Sequence, residues 1–547
     1  MLLTTCFIRL VVLLGVVSRV TPAPLSPPSV DGQPVVDLEY SQYQGIRLSS
    51  GVNQYLGMRY AAPPLGDLRF RAPANPLKTS GVQDATLFQA ICLAINTKLP
   101  STTESEDCLF VNVWSPASAT SKSKLPVWVY ITGGGYEANS NANYNGSTVV
   151  ANSGRNIVMV NFAYRVGPYG FLASEKVRAN GDLNVGLLDQ RMALEWVQQH
   201  IEQFGGDPSH VVIHGASAGA GSVALHLTAY GGRNDGLFVG GIGESVFFPA
   251  QSQVSELEWQ FSNYVKDTGC AASLDELKCL RSKDITILQE ANVATPFLRR
   301  TAAPLSYWTP TIDGDFIQDY PYRLIEQGKF IKVPIMFGDD TDEGTFFVPD
   351  ASTPADVASF FQNNYPHLTS NDTDAINAQY PLMAALPEHA AYFPSAAAAY
   401  GESTFTCAGN YISQTFATMN GPSKVWNYRV NILQPEYVAD GLGVPHTSET
   451  PAIFGLGNVH DDISSSYSNT NADIIPVVMD YFISFIRELS PNSYKFASAP
   501  YWESFGNGTD GGRRLKLQTD ATVMEKIPKD QVKRCEFWRG LALTMEQ

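Results

Sequence analysis

The chain has little charge and does not concentrate it. Of its 547 residues only 16% are Asp, Glu, Lys or Arg, while 44% are apolar, a balance that permits a large buried core and excludes a disordered chain. Its 37 Lys and Arg are outnumbered by 53 Asp and Glu and form no basic patch, so nucleic acid is excluded as an expected partner. There is no Cys-x-x-Cys pair and no Cys/His cluster, which argues against a structural metal. Beyond the N-terminus no apolar run is long enough for a bilayer, so integral membrane association is not expected. The last residues show neither a lipid-anchor tail nor a retention signal. Internal repeats and interior low-complexity linkers are also lacking. The expected organisation is one domain over residues 30–547, with insertions near 255–330 and 350–420. Histidine is scarce as well, at eight residues, which later narrows a choice.

What the chain does have begins with an N-terminal segment carrying Arg9 ahead of a short apolar run over 10–17. This reads as a signal peptide, about residues 1–20, with cleavage between 17 and 23, and implies secretion to an extracellular location. Cys6 then leaves with it, and Cys92, Cys108, Cys270, Cys279, Cys407 and Cys535 remain. An even set in an oxidising compartment suggests three disulfides, the simplest being Cys92–Cys108, Cys270–Cys279 and Cys407–Cys535. Sequons at Asn145, Asn371 and Asn507 fit a glycosylated surface.

Apolar runs over 125–131, 156–162, 333–337 and 425–428 read as strands, and 187–204 carries apolar residues at helical spacing. Strands alternating with helices predict an α/β fold, a large, mostly parallel sheet covered by helices on both faces. One strand, Val211-Val212-Ile213, runs into Gly215-Ala216-Ser217-Ala218-Gly219 and then a helical stretch. Strand, sharp turn and helix around Gly-x-Ser-x-Gly form the nucleophile elbow of α/β-hydrolases, with the serine hydroxyl pushed out of the sheet edge.

A serine hydroxyl is a weak nucleophile at neutral pH. It needs a histidine base, a carboxylate to hold the imidazole tautomer, and amide donors for the oxyanion. On this fold the acid and then the histidine follow the serine. His200, His210 and His214 precede Ser217, and His226 lies in the helix after it; His367 and His389 fall in the helical insertion. His446, in the Gly/Pro-rich loop Gly441-Leu442-Gly443-Val444-Pro445, is the expected base, mobile and exposed, with His460 as runner-up. The acid should follow the strand near Val333, where Asp339, Asp340, Asp342 and Glu343 crowd together and spacing does not choose among them. A run of acids is ordinarily a solvated surface loop. Gly133-Gly134-Gly135, after the strand over 125–131, is placed to supply oxyanion donors, joined by the amide of Ala218.

From about residue 35 onward the chain resembles the type-B carboxylesterase/lipase family, which includes the cholinesterases. Residues 204–219 fit the family's serine signature and 106–116 its second signature. The resemblance implies Glu343 as the acid, through Asp342-Glu343-Gly344, and supports His446. It implies an oxyanion hole of Gly134, Gly135 and Ala218, and structural ion pairs Arg165–Asp189 and Arg69–Glu106. The three disulfides resemble the cholinesterase branch. Ala216 departs from that branch, which carries glutamate there, and the Cys92–Cys108 loop has no tryptophan to hold a choline cation. In related lipases that loop is a long amphipathic lid; here it is short, which favours soluble esters. The resemblance therefore implies a secreted serine carboxylesterase acting on small-molecule esters without cofactor or metal. The alternatives are a lipase or sterol esterase, a metabolite-specific esterase and, remotely, an inactive adhesion-type binding domain. Phe346, Phe347 and Tyr136 are candidate pocket walls.

Overall fold

A computed structural model describes residues 32–140, 143–459, 465–506 and 512–547. The expected signal peptide, Asn507 and His460 lie outside the described residues.

Eleven strands form one sheet. They are β1 (Ile46–Arg47), β2 (Val52–Arg59), β3 (Phe110–Pro116), β4 (Leu125–Ile131), β5 (Val158–Phe162), β6 (Gly206–Ala216), β7 (Gly240–Glu244), β8 (Ile335–Asp340), β9 (Val425–Val430), β10 (Arg513–Leu517) and β11 (Val523–Lys526). Their spatial order is β11-β10-β9-β8-β7-β6-β4-β5-β3-β2-β1. From β5 through β4, β6, β7, β8 and β9 to β10 the neighbours run parallel, and antiparallel strands finish both edges. This is the α/β architecture the sequence predicts.

The side chains of the middle strands divide between two cores. Val127, Val129 and Ile131 of β4 join one, together with Val211 and Ile213 of β6. Trp128, Tyr130 and Val212 join the other. Both faces are thus covered, which is why these strands read as unbroken apolar runs instead of alternating ones. Helix α1 (Val185–His200) precedes β6, and α2 (Ala218–Gly232) follows it, with a break at Ala229–Gly231. Of the later helices, α3 (Cys407–Asn420) packs on β8 and β9, α4 (Thr450–Phe454) and α5 (Ile474–Glu488) lie against β4 and β6, with α5 reaching β9, and α6 (Lys529–Leu541) is tied to α3. No helix among the described residues is long and apolar enough to cross a membrane.

Three disulfides join Cys92 to Cys108, Cys270 to Cys279 and Cys407 to Cys535. The Arg165 guanidinium grips Asp189 in a buried fork, with Nε–Oδ2 2.7 Å and Nη2–Oδ1 2.6 Å. Arg69 pairs with Glu106 while donating to the carbonyls of Arg281 and Lys283, which ties the helical segment after residue 255 to the body.

Candidate active site

Ser217 sits between the last residue of β6 and the first of α2, at φ 57° and ψ −124°. The two glycines of the motif make this turn possible. A Cβ on Gly215 would lie 2.3 Å from the Gly219 backbone, and one on Gly219 would lie 2.1 Å from the Ile131 carbonyl oxygen. Strand and helix therefore cross at backbone contact, and the residue between them is forced into a left-handed conformation that costs about 1–3 kcal/mol. Its N–H donates to the Glu244 carbonyl of β7 at 2.9 Å, which pins the turn to the neighbouring strand.

The glycine loop after β4 lies against this turn. A Cβ on Gly133 would come within 3.1 Å of the Ser217 Cβ. Gly134 (φ 111°) and Gly135 (φ 64°) take left-handed conformations. The N–H groups of Gly134 and Gly135 have no acceptor among the described residues, and that of Ala218, first in α2, has none within its helix. Unpaired amide donors beside a serine hydroxyl can receive a developing oxyanion. The loop is braced from behind by Glu137, whose Oε1 accepts the N–H of Tyr307 at 2.7 Å and of Trp308 at 3.1 Å. Burial pushes the Glu137 carboxyl up to about 7.

His446 Nδ1 lies 2.5 Å from Glu343 Oε2, and Glu343 Oε1 accepts the Asp340 N–H at 2.8 Å. The imidazole is buried, only 8% exposed, where the sequence led us to expect a mobile and exposed base. The reason is packing: the rings of Phe405 and Phe347 stand 4.4 and 5.0 Å from it, centre to centre. Nε2, the nitrogen that would take a serine proton, is buried and has no hydrogen-bond partner among the described residues.

The acidic run at the end of β8 is not a solvated loop. Asp339, Asp340 and Glu343 are all buried. Asp340 accepts the Thr447 N–H and the Ser448 hydroxyl, each at 2.8 Å, and Asp342 accepts the Val444 N–H at 2.9 Å. Three of the four acids therefore hold the His446 loop, each at a different residue. The sequence reading missed Asp340 and Asp342 in this role, and missed Glu137 altogether. An acid run directly after a buried strand, facing a Gly/Pro loop, is the signal that could have found the first two.

Of the candidate walls, Phe347 touches His446, Phe346 is half exposed and packs on Tyr437, and Tyr136 is core, against Phe171 and Phe247. Asn371 is exposed on the helix Ser370–Gln379, while the half-buried Asn145 uses its Oδ1 to accept the Ser147 N–H.

A serine on a strained strand-to-helix turn, with a carboxylate-bound histidine at the ends of later parallel strands, defines an α/β-hydrolase. Residues 32–538 match the model of the carboxylesterase family. The crystal structure of Aspergillus niger EstA superposes with a TM-score of 0.92 at 54% identity, covering 94% of this chain and 99% of that one. "Secreted lipase 1" of Botryotinia fuckeliana is 32% identical over 84% of each chain. "Secreted triacylglycerol lipase LIP1" of Gibberella zeae is 30% identical over 88% of this chain and 87% of its own. The chain belongs to the carboxylesterase family and is a hydrolase, a serine esterase.

Gly134→Ala tests the glycine loop. Its Cβ would lie 2.3 Å from the Ala138 carbonyl oxygen, on a φ of 111° that alanine avoids. The expected result is a kcat lowered about 100- to 1000-fold, the cost of one oxyanion donor, with KM little changed.

Proposed function

We propose that the chain hydrolyses small, soluble carboxylic esters through an acyl-enzyme on Ser217. The observation that carries this reading is the imidazole of His446, oriented by Glu343 through Nδ1 and left with a free Nε2 at the strand ends that carry Ser217. As the Ser217 Oγ forms its bond to the ester carbonyl carbon, its proton passes to His446 Nε2. The carbonyl π pair moves to oxygen, where the amides of Gly134, Gly135 and Ala218 receive it. Collapse of the tetrahedral intermediate breaks the bond to the leaving alcohol, which takes the proton back from His446. Water then repeats the sequence and releases the acid and free Ser217.

The Cys92–Cys108 loop supports an esterase over a lipase. It is closed by its disulfide and stitched to the body: Ile95 N–H to the Glu137 carbonyl, Asn96 N–H to that of Asn292, and Gln289 Nε2 to that of Ala94. A lid that swings open at a lipid surface would have to break these bonds. Identity with EstA, well above that with the two lipases, points the same way. The secreted relatives and the disulfides support export, with Asn371 the exposed glycan acceptor among the described residues.

The test is hydrolysis of p-nitrophenyl esters from acetate to palmitate. Activity should fall steeply beyond butyrate. Activity that rises toward palmitate, above the solubility limit of the substrate, would favour a lipase.

A further inference from the structure

Beneath the site lies a group of buried acids that the hydrolytic scheme does not use. Glu244, the last residue of β7, and Glu449, directly before α4, are both wholly buried. Each is linked to one partner of the reaction through the main chain. The Glu244 carbonyl accepts the Ser217 N–H, and Glu449 stands three residues after His446. Their carboxyls face one another, and Glu449 also faces Asp340, which holds Thr447 and Ser448.

No cation among the described residues balances these acids. Among the described residues no Lys or Arg forms an ion pair with Glu244, Glu449 or Asp340. The nearest base is His214 of β6, whose Nε2 pairs with Glu244. His214 Nδ1, however, receives the Trp128 indole N–H at 3.0 Å. An indole N–H only donates, so Nδ1 must keep its lone pair and the imidazole is neutral, in keeping with burial that drives it down to about 3. The remaining titratable groups facing the pair are Glu343, Tyr130, Tyr428 and Tyr467, none of which brings positive charge.

Among the described residues the Nε2–H of His214 is the donor that faces the Glu244 carboxylate, and Glu449 as a carboxylate has no hydrogen-bond donor on either oxygen. Two carboxylates facing each other can only accept; a hydrogen bond between them requires a proton on one. We propose that Glu244 and Glu449 share a proton and act as positioning residues, tying the Ser217 turn to the His446 loop, and that losing this proton disables hydrolysis at alkaline pH. The inference rests on the proposed roles of Ser217 and His446. Burial pushes the Glu244 carboxyl up to about 8, and holds Glu449 and Asp340 well above the ordinary carboxylate range. Raised acids stabilise the fold below their unfolded values, near 4.5 for Glu244, and that contribution is lost as pH rises through about 8.

The experiment is a pH profile of kcat and of thermal unfolding for the wild type, Glu244→Gln and Glu449→Gln, with infrared difference spectra of the wild type. Glutamine supplies the donor permanently. The fall in kcat centred near pH 8 in the wild type, and the fall in Tm that runs from about pH 4.5 and levels off near 8, should be absent over that range in both variants. Glu244→Ala, which leaves Glu449 facing a gap, should lower kcat on the order of tenfold at neutral pH, since small misplacements of the base are costly. The wild type should show a protonated carboxylic C=O band that vanishes over the same pH range. Identical pH profiles in the glutamine variants, or no such band, would overturn the proposal even with the triad intact. Should Ser217 prove dispensable, the infrared band and the unfolding profile still test the shared proton independently of activity.

Discussion

Ser217→Ala should lower kcat on p-nitrophenyl butyrate by about a millionfold, the loss seen when a triad nucleophile is removed from a serine hydrolase. The variant should fold, because alanine keeps the Cβ and every main-chain bond of the turn, including Ser217 N–H to the Glu244 carbonyl. What activity remains would come from the amides of Gly134, Gly135 and Ala218 acting on water. The measurement is a steady-state rate on purified variant, with circular dichroism to confirm folding. A variant retaining a few per cent of wild-type kcat would remove Ser217 from the mechanism.

Glu343→Gln should cost about 10,000-fold in kcat, although it is nearly isosteric. The reason lies in how Glu343 is held. Its Oε1 accepts the Asp340 N–H at 2.8 Å, while Oε2 faces His446 Nδ1 at 2.5 Å. In glutamine the carbonyl oxygen must stay on the Asp340 N–H, so the amide NH2 turns toward Nδ1. The imidazole then moves its proton to Nε2 and presents a donor, not a base, to Ser217. KM should hardly change. A loss of less than tenfold would show that another acid orients His446.

Residues around the turn were legible because their geometry leaves few choices. Gly215 and Gly219 tolerate no Cβ, and a glycine pair at that spacing after a buried strand marks a close crossing of strand and helix. Elimination among few histidines narrows the candidate base to His446. It does not narrow the candidate acid, since Asp339, Asp340, Asp342 and Glu343 sit within five residues and Glu343 is the one that meets the imidazole. That difference is set by pairing of β8 with β9 and by the loop after it, long-range contacts that local pattern does not carry. The buried state of His446 was misjudged for a related reason. Phe405 lies far upstream in a helical segment, and nothing in the Gly/Pro loop itself announces the ring that covers it. His214 and Glu244 were not singled out in the sequence, though a histidine directly after Val211-Val212-Ile213 and the terminal glutamate of the neighbouring strand both break an apolar pattern.

The Cys407–Cys535 bond joins α3 to α6 across 128 residues, and His446 lies inside the ring it closes. Ser217 lies outside it, on the N-terminal side. A protease that cuts any one peptide bond between the two cysteines therefore never separates Ser217 from His446: the fragments stay covalently joined, and the sheet keeps them packed. An esterase working among other hydrolases would survive one such nick as a two-chain enzyme, migrating as a single species without reductant and as two with it.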